Sequence, residues 1–316
     1  MRILITGANG FIGQNVLASW SKEKEVELVA LQRTASDKSI PEIEYWLYPE
    51  INSETISSLD LSSIDVIIHA LAAIDIPNKN EDEARAVYQK VNVELTRVLA
   101  SQAAIAGVKH FIFISSTKVN GEETSETLEP FCETDVPLPE DEYAHSKLAA
   151  ENHLKTICHA SNMAYTIIRP PLVYGPGVKG NFEKLIKLVG KGVPLPFAKM
   201  QNWRSVLAID NLTDFIWTCI EKPKAKNETF LIADKDDVST TGLLIAISEA
   251  YKKSLRLFYI PKTPLRWLLA CIGKKNIYRK LYSCLIVRKD KAKVLLGWEP
   301  ISDLPSQLRK MVEREK

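Results

Sequence analysis

Tyr143 and Lys147 stand four positions apart in the run Tyr143-Ala144-His145-Ser146-Lys147. On a helix, residues with that spacing share a face. A phenol near its reference pKa of about 10 is a poor base at neutral pH. A neighbouring ammonium stabilises the phenolate and lowers that pKa. Such a pair can take a proton from an alcohol or return one to an alkoxide. With 10 tyrosines in 316 residues a chance pair of this kind is ordinary, so its weight comes from position. Upstream, the apolar run Phe113-Ile114 ends in Ser115-Ser116. A hydroxyl at a strand's carboxyl end sits where open α/β sheets bind ligands, and Ser116 can hydrogen-bond a reacting oxygen there.

A second arrangement points to a dinucleotide. The apolar run Ile3–Ile5 leads straight into Thr6-Gly7-Ala8-Asn9-Gly10-Phe11-Ile12-Gly13. Gly7 permits a tight turn, Gly10 lets backbone amides approach a pyrophosphate, and Gly13 lets the next helix pack close to the sheet. The helix N-terminus then faces the anion. The following strand candidate ends Leu31-Gln32-Arg33-Thr34, with no acid before Asp37. A carboxylate there would bind the adenosine ribose hydroxyls and repel a 2′-phosphate. Arg33 can instead pair with that phosphate, so NADP(H) is expected in preference, with NAD(H) left open.

These groups need a frame. Short apolar runs recur at Ile3–Ile5, Val26–Leu31, Val66–His69, Phe111–Ile114 and Thr166–Ile168. Apolar on both faces, they read as strands of a buried parallel sheet. Between them lie helix candidates. Over 81–106, Ala84, Val87, Val91, Leu95 and Val98 recur at steps of three and four. A second helix, over about 142–160, carries Tyr143 and Lys147. The alternation predicts an α/β fold, a Rossmann-type doubly wound parallel sheet. Beyond Arg169 the texture changes, because Pro170, Pro171, Gly175, Pro176 and Gly177 crowd together as a loop. Helices are expected over 181–190 and 211–221, short strands over Val206–Ile209 and Phe230–Ala233, and a helical, basic remainder.

Composition narrows the classes. With 41 basic and 39 acidic side chains, 25% charged and 46% apolar, the chain is an ordinary globular one, not disordered, collagen-like or a coat for nucleic acid. Its five cysteines form no C-x-x-C pair, which argues against a zinc cluster and fits a reducing compartment. The five histidines suggest structural roles rather than a metal site. The N-terminus turns polar and glycine-rich at once, unlike a signal peptide, and no apolar run approaches the roughly 20 residues of a membrane span. A cytoplasmic protein is expected. Charge is uneven: residues 251–316 hold 17 basic and 5 acidic side chains, against 24 and 34 in residues 1–250. The basic region could attract an anionic substrate, or hold the chain weakly at an anionic membrane surface.

The glycine spacing, Ser116 and the Tyr143/Lys147 pair together resemble the extended short-chain dehydrogenase/reductases, the NAD-dependent epimerase/dehydratase family. The resemblance implies that Ser116, Tyr143 and Lys147 form the catalytic triad, with Lys147 also on the nicotinamide ribose. It further implies cofactor contacts from Gly7, Asn9, Gly10, Phe11, Ile12, Gly13, Arg33, Glu50, Ile51, Leu71, Ala72, Ala73, Asn92, Pro170 and Leu172. It divides the chain into a cofactor domain over 1–170 and about 205–222, and a nucleotide-sugar domain over 171–204 and 223–316.

The segments Ser115-Ser116-Thr117-Lys118-Val119-Asn120-Gly121, Asn202-Trp203-Arg204-Ser205 and Leu295-Leu296-Gly297-Trp298-Glu299-Pro300 are similar to a bacterial subgroup. Its members are UDP-glucose 4-epimerase-like proteins and reductases of UDP-4-keto-6-deoxy-N-acetylhexosamines, which serve surface polysaccharide (O-antigen and capsule) synthesis. The resemblance implies substrate contacts from Lys118, Asn120, Asn181, Leu195, Phe197 and Arg204, and a homodimer formed through the two long helices. Asn120 stands where the commoner pattern has Tyr. Because Arg33 leans toward NADP(H), a 4-ketoreductase of a UDP-4-keto sugar ranks first and a 4-epimerase that retains NAD second. Dehydration ranks low, since Thr117 and Lys118 replace the acid and base it needs. A non-catalytic NAD(P)-binding regulator is the distant alternative, because such a protein could lose Tyr143 or Lys147 and both are present.

Overall fold

The computed structural model describes residues 1–35, 40–74, 76, 80–124, 129–261 and 282–314. Eleven strands are described: β1 Arg2–Thr6, β2 Glu27–Gln32, β3 Ile43–Leu47, β4 Val66–His69, β5 His110–Ile114, β6 Ala164–Arg169, β7 Leu172–Tyr174, β8 Trp203–Arg204, β9 Val206–Ala208, β10 Glu228–Leu231 and β11 Val238–Ser239. Seven form one sheet in the order β10-β6-β5-β4-β1-β2-β3, and each neighbouring pair is parallel. Order reverses between β1 and β4, which opens a crevice at their carboxyl ends.

Helices cover both faces: α1 Phe11–Trp20, α2 Ser53–Ser57, α3 Glu81–Tyr88, α4 Leu95–Ala106, α5 Glu142–His159, α6 Asn181–Gly190, α7 Ile209–Glu221, α8 Thr240–Ala250, α9 Asp290–Leu296 and α10 Leu304–Arg314. Strand residues alternate between two cores. Ile3 and Ile5 pack with Val16 and Leu17 of α1 and with Leu212 and Phe215 of α7. Leu4 faces the other way, toward Leu95 and Leu99 of α4 and Leu154 of α5. Burial on both faces is why these strands read as continuous apolar runs.

Local chemistry starts and stops the helices. Asn80 and Glu83 close a capping box at the start of α3. Gly107, at φ 81°, ends α4 in the left-handed conformation that glycine adopts without cost. Asp141 caps α5 by accepting from the Ala144 amide. The helix expected over 81–106 is continuous but not uniform, because residues Gln89–Glu94 are wound as a π turn.

A third core joins Tyr174 and Phe182 to Leu195, Leu244, Ile247, Leu308 and Met311, and defines the second lobe. The division expected at residue 223 needs correcting. β10 pairs with β6 and completes the main sheet, and Ala292, Leu296 and Trp298 pack into the core beneath it. The first lobe therefore takes back segments of the later chain. Among the described residues, no helix is long and apolar enough to cross a membrane. Most of the basic segment between Tyr259 and Ser283 lies outside the described residues.

A candidate dinucleotide and proton-transfer site

The crevice between β1 and β4 is built by glycines that have no alternative. A Cβ on Gly7 would lie 2.6 Å from the Leu71 nitrogen, and Gly7 has φ 71°. A Cβ on Gly13 would lie 2.4 Å from the Gly7 carbonyl oxygen. The turn closes with Gly10 N–H donating to the Gly7 carbonyl at 2.8 Å. No side chain caps α1, so its first amides are left for an anion. Phe11 and Ile12 pack against the core beneath, and exposed Asn9 donates to the Thr34 carbonyl, tying the turn to the end of β2.

Gln32 ends β2 buried, at 3% exposure, and its Nε2 has no hydrogen-bond partner. An unmet buried donor costs about 1–3 kcal/mol, and here it lies where an adenosine ribose would supply the acceptor. Arg33 is exposed beside it. The cradle and the orphaned amide fit a dinucleotide. Asp37 lies outside the described residues. Glu50 is exposed and Ile51 half-buried between β3 and α2, Leu71 and Ala72 are half-buried after β4, and Leu172 is exposed at the start of β7. Pro170 is buried, and its carbonyl accepts from the Thr117 amide.

Asn92, expected to touch the cofactor, spends its side chain on the protein. Oδ1 accepts from the Ala73 amide at 2.8 Å, and Nδ2 donates to the Ala73 carbonyl at 3.0 Å and to Ser146 Oγ at 2.9 Å. It lies within the π turn, which turns it inward to tie the loop after β4 to the helix of Tyr143.

The two serines after β5 part company. Ser115 is buried and donates to Glu151. Ser116 is half-buried and its Oγ accepts from the Lys118 amide at 3.2 Å. Tyr143 is half-buried in the first turn of α5, its ring edge-on to Tyr88 with centroids 6.0 Å apart. One turn on, Lys147 is buried to 1% exposure, with Nζ 4.3 Å from the centroid of the Phe113 ring. Burial pulls its pKa down to about 7, against the opposing charge of Glu151. Glu151 is itself paired with Arg169 through two hydrogen bonds of 2.9 and 2.6 Å. The sequence reading missed Glu151, Arg169 and Gln32; the four-residue step from Lys147 to Glu151 was the available signal for the first.

On the substrate side the expected residues divide. Asn120 is buried, donating to the Cys132 carbonyl and accepting from Arg169, so it is turned inward rather than toward a ligand. Its amide serves both partners at once, Nδ2 as donor and Oδ1 as acceptor. Lys118 is ion-paired with Glu122 and Asp141. Leu195 is buried in the third core and Phe197 packs partly buried against it. Arg204 is half-buried, donates to Ser283 Oγ at 3.0 Å, and burial lowers its pKa. The backbone of Asn181 opens α6, and its side chain lies outside the description. His69 lies between Thr6 and Thr96, kept neutral by burial, which lowers its pKa to about 3. Among the described residues, no group of three or more His, Cys, Asp or Glu is placed to hold a metal.

A doubly wound sheet, a glycine cradle at its switch point and a buried lysine one helical turn from a tyrosine define the class of dinucleotide-dependent enzymes built on a Rossmann fold. Residues 3–233 match the NAD dependent epimerase/dehydratase family, and the chain belongs to it. It is 40% identical to UDP-glucose 4-epimerase of Vibrio cholerae over 301 residues, 94% of this chain and 90% of that protein. It is 24% identical to N-acetyl-alpha-D-glucosaminyl-diphospho-ditrans,octacis-undecaprenol 4-epimerase of Escherichia coli O157:H7, over 82% of this chain and 75% of that one. Among solved structures, UDP-glucose 4-epimerase of Thermotoga maritima with UDP-glucose shares the fold at a TM-score of 0.79, 22% identical, over 100% of this chain and 98% of that chain.

Proposed function

We propose that this chain is an NAD-dependent 4-epimerase of a UDP-hexose or UDP-N-acetylhexosamine. The observation that carries the reading is the 40% identity to UDP-glucose 4-epimerase over 94% of the chain. It reverses the order drawn from Arg33 alone, which put a reductase first. NAD, when bound, takes hydride from C4 of the sugar and returns it. Tyr143 accepts the C4 hydroxyl proton as hydride leaves and gives it back as hydride returns to the other face. Ser116 hydrogen-bonds the same oxygen as its charge develops. Lys147 holds the nicotinamide ribose and favours the tyrosinate. Inversion needs the 4-keto sugar to turn over between the two transfers, so the second lobe must hold it by the UDP end. Arg204 and Phe197 are proposed for the diphosphate and the uracil ring.

The protein should interconvert UDP-glucose and UDP-galactose, or the N-acetyl pair, with no cofactor added, followed by the anomeric proton signals. Consumption of NADPH only in the presence of a UDP-4-keto-6-deoxy-N-acetylhexosamine would replace this reading with the 4-ketoreductase. That second reading draws on the neutral, Arg33-flanked end of β2, which offers no carboxylate among the described residues to reject a 2′-phosphate.

A further inference from the structure

Ser116 and Tyr143 must reach one substrate oxygen, yet they belong to different elements. Ser116 caps the short turn Thr117–Val119 after β5, and Tyr143 lies in the first turn of α5. Lys118 crosses the gap. Its amide donates to Ser116 Oγ, and its Nζ lies 2.5 Å from Asp141 Oδ2 and 3.0 Å from Glu122 Oε1. The other oxygen of Asp141, Oδ1, accepts from the Ala144 amide at 2.7 Å and so caps α5. A single carboxylate is thus shared between the loop of Ser116 and the helix turn of Tyr143. The Glu122 amide, donating to Glu140 at 3.2 Å, laces the same two segments.

We propose that Lys118 and Asp141 are positioning residues whose ion pair sets the register of Ser116 against Tyr143. The half-exposed pair contributes little to folding. Its value is geometric, because a misplacement of about 1 Å can cost roughly a hundredfold in rate. Burial works against the charge of Lys118, but Asp141 and Glu122 hold its pKa above the ordinary lysine value, so the pair persists through the working pH range. Lys118 is therefore a strut between two catalytic side chains rather than a free cation for the diphosphate. The inference rests on the proposed C4 chemistry only for its rate assay.

Asp141→Asn isolates the pair, because asparagine caps a helix as well as aspartate does but carries no charge. Lys118→Met, Asp141→Asn and their double variant should be compared in the full chain. Each single variant should lose roughly tenfold to a hundredfold in kcat with KM within about threefold. The double should fall no further than the worse single, and Lys118→Arg should recover most of the rate. Independent of turnover, Lys118→Met should speed amide exchange over 141–145, and Asp141→Asn should speed it over 116–119. Wild type that turns over no UDP-sugar would refute the epimerase reading alone, and the exchange data would still decide the strut. Additive losses in kcat, a loss confined to KM, or exchange that changes only in the mutated segment would overturn the proposal.

Discussion

The ammonium of Lys147 sits 4.3 Å above the centre of the Phe113 ring, in a place 1% open to solvent. The ring face attracts the cation but does not replace lost water. Burial therefore lowers the pKa to about 7 from the ordinary lysine value of 10.5, although Glu151 opposes the shift. The unfolded chain binds this proton over a range where the folded chain has released it, so stability rises as pH goes from about 7 toward 10. Lys147→Met removes the cost. It should be inactive yet melt roughly 5 °C higher at pH 6, with the gain shrinking as the pH is raised through 7. A Tm unchanged or lowered at pH 6 would show that the charge is well accommodated.

Tyr143 and Ser116 separate by size of effect. Tyr143→Phe removes the only proton-transfer group proposed for C4 and should lower kcat by at least about a thousandfold. Ser116→Ala removes one hydrogen bond to the developing oxyanion and should cost about a hundredfold. Titration calorimetry should give unchanged UDP-sugar affinity in both. Equal losses in kcat would merge the two roles.

Gln32 offers a buried, unpartnered amide at the end of β2, and a substitution there tests its part in nucleotide choice. Its amide donor is neutral, so the adenosine end of the site should accept NAD and NADP with affinities within about tenfold. Gln32→Asp introduces a carboxylate, and NADP binding to nucleotide-stripped protein should weaken by roughly a hundredfold while NAD is retained. Quenching of tryptophan fluorescence reads both affinities without turnover. Equal losses for the two nucleotides would remove Gln32 from the ribose.

Arg169 and Glu151 form a pair exposed by only 3% and 0%. Arg169→Met takes from buried Glu151 its hydrogen-bonded cation and should cost about 3–5 kcal/mol by denaturant melting. Adding Glu151→Leu should recover most of that. If the second change deepened the loss, the pair would be contributing more than mutual compensation.

Much of this was written in local pattern. Val66–His69 was legible to the residue, because a strand buried on both faces has no polar interruption. The glycine turn and the Tyr143/Lys147 spacing were legible for the same reason: each is satisfied within a few residues. What escaped depends on distant partners. β3, Ile43–Leu47, is an edge strand with exposed Glu44 and half-buried Tyr45 and Trp46, so it shows no apolar run. The π turn around Asn92 exists because Ala73 and Ser146 hold that side chain. β10 was read as a strand, but its sheet was not, because pairing with β6 joins residues about 60 positions apart. The ion pair of Lys118 with Asp141 was not legible either, because it joins residues 23 positions apart.

Tyr143, Ser116 and Lys147 are proposed to serve a reversible oxidation at C4 with the hydride kept in the site. UDP-glucose carrying deuterium at C4 tests it most directly. The protein, given no added nucleotide, should produce the C4 epimer with the deuterium still on C4 and none lost to water, as read by mass spectrometry and proton spectra. Epimer that has exchanged its label with solvent, or no epimer until external NADPH is supplied with a keto sugar, would contradict the account.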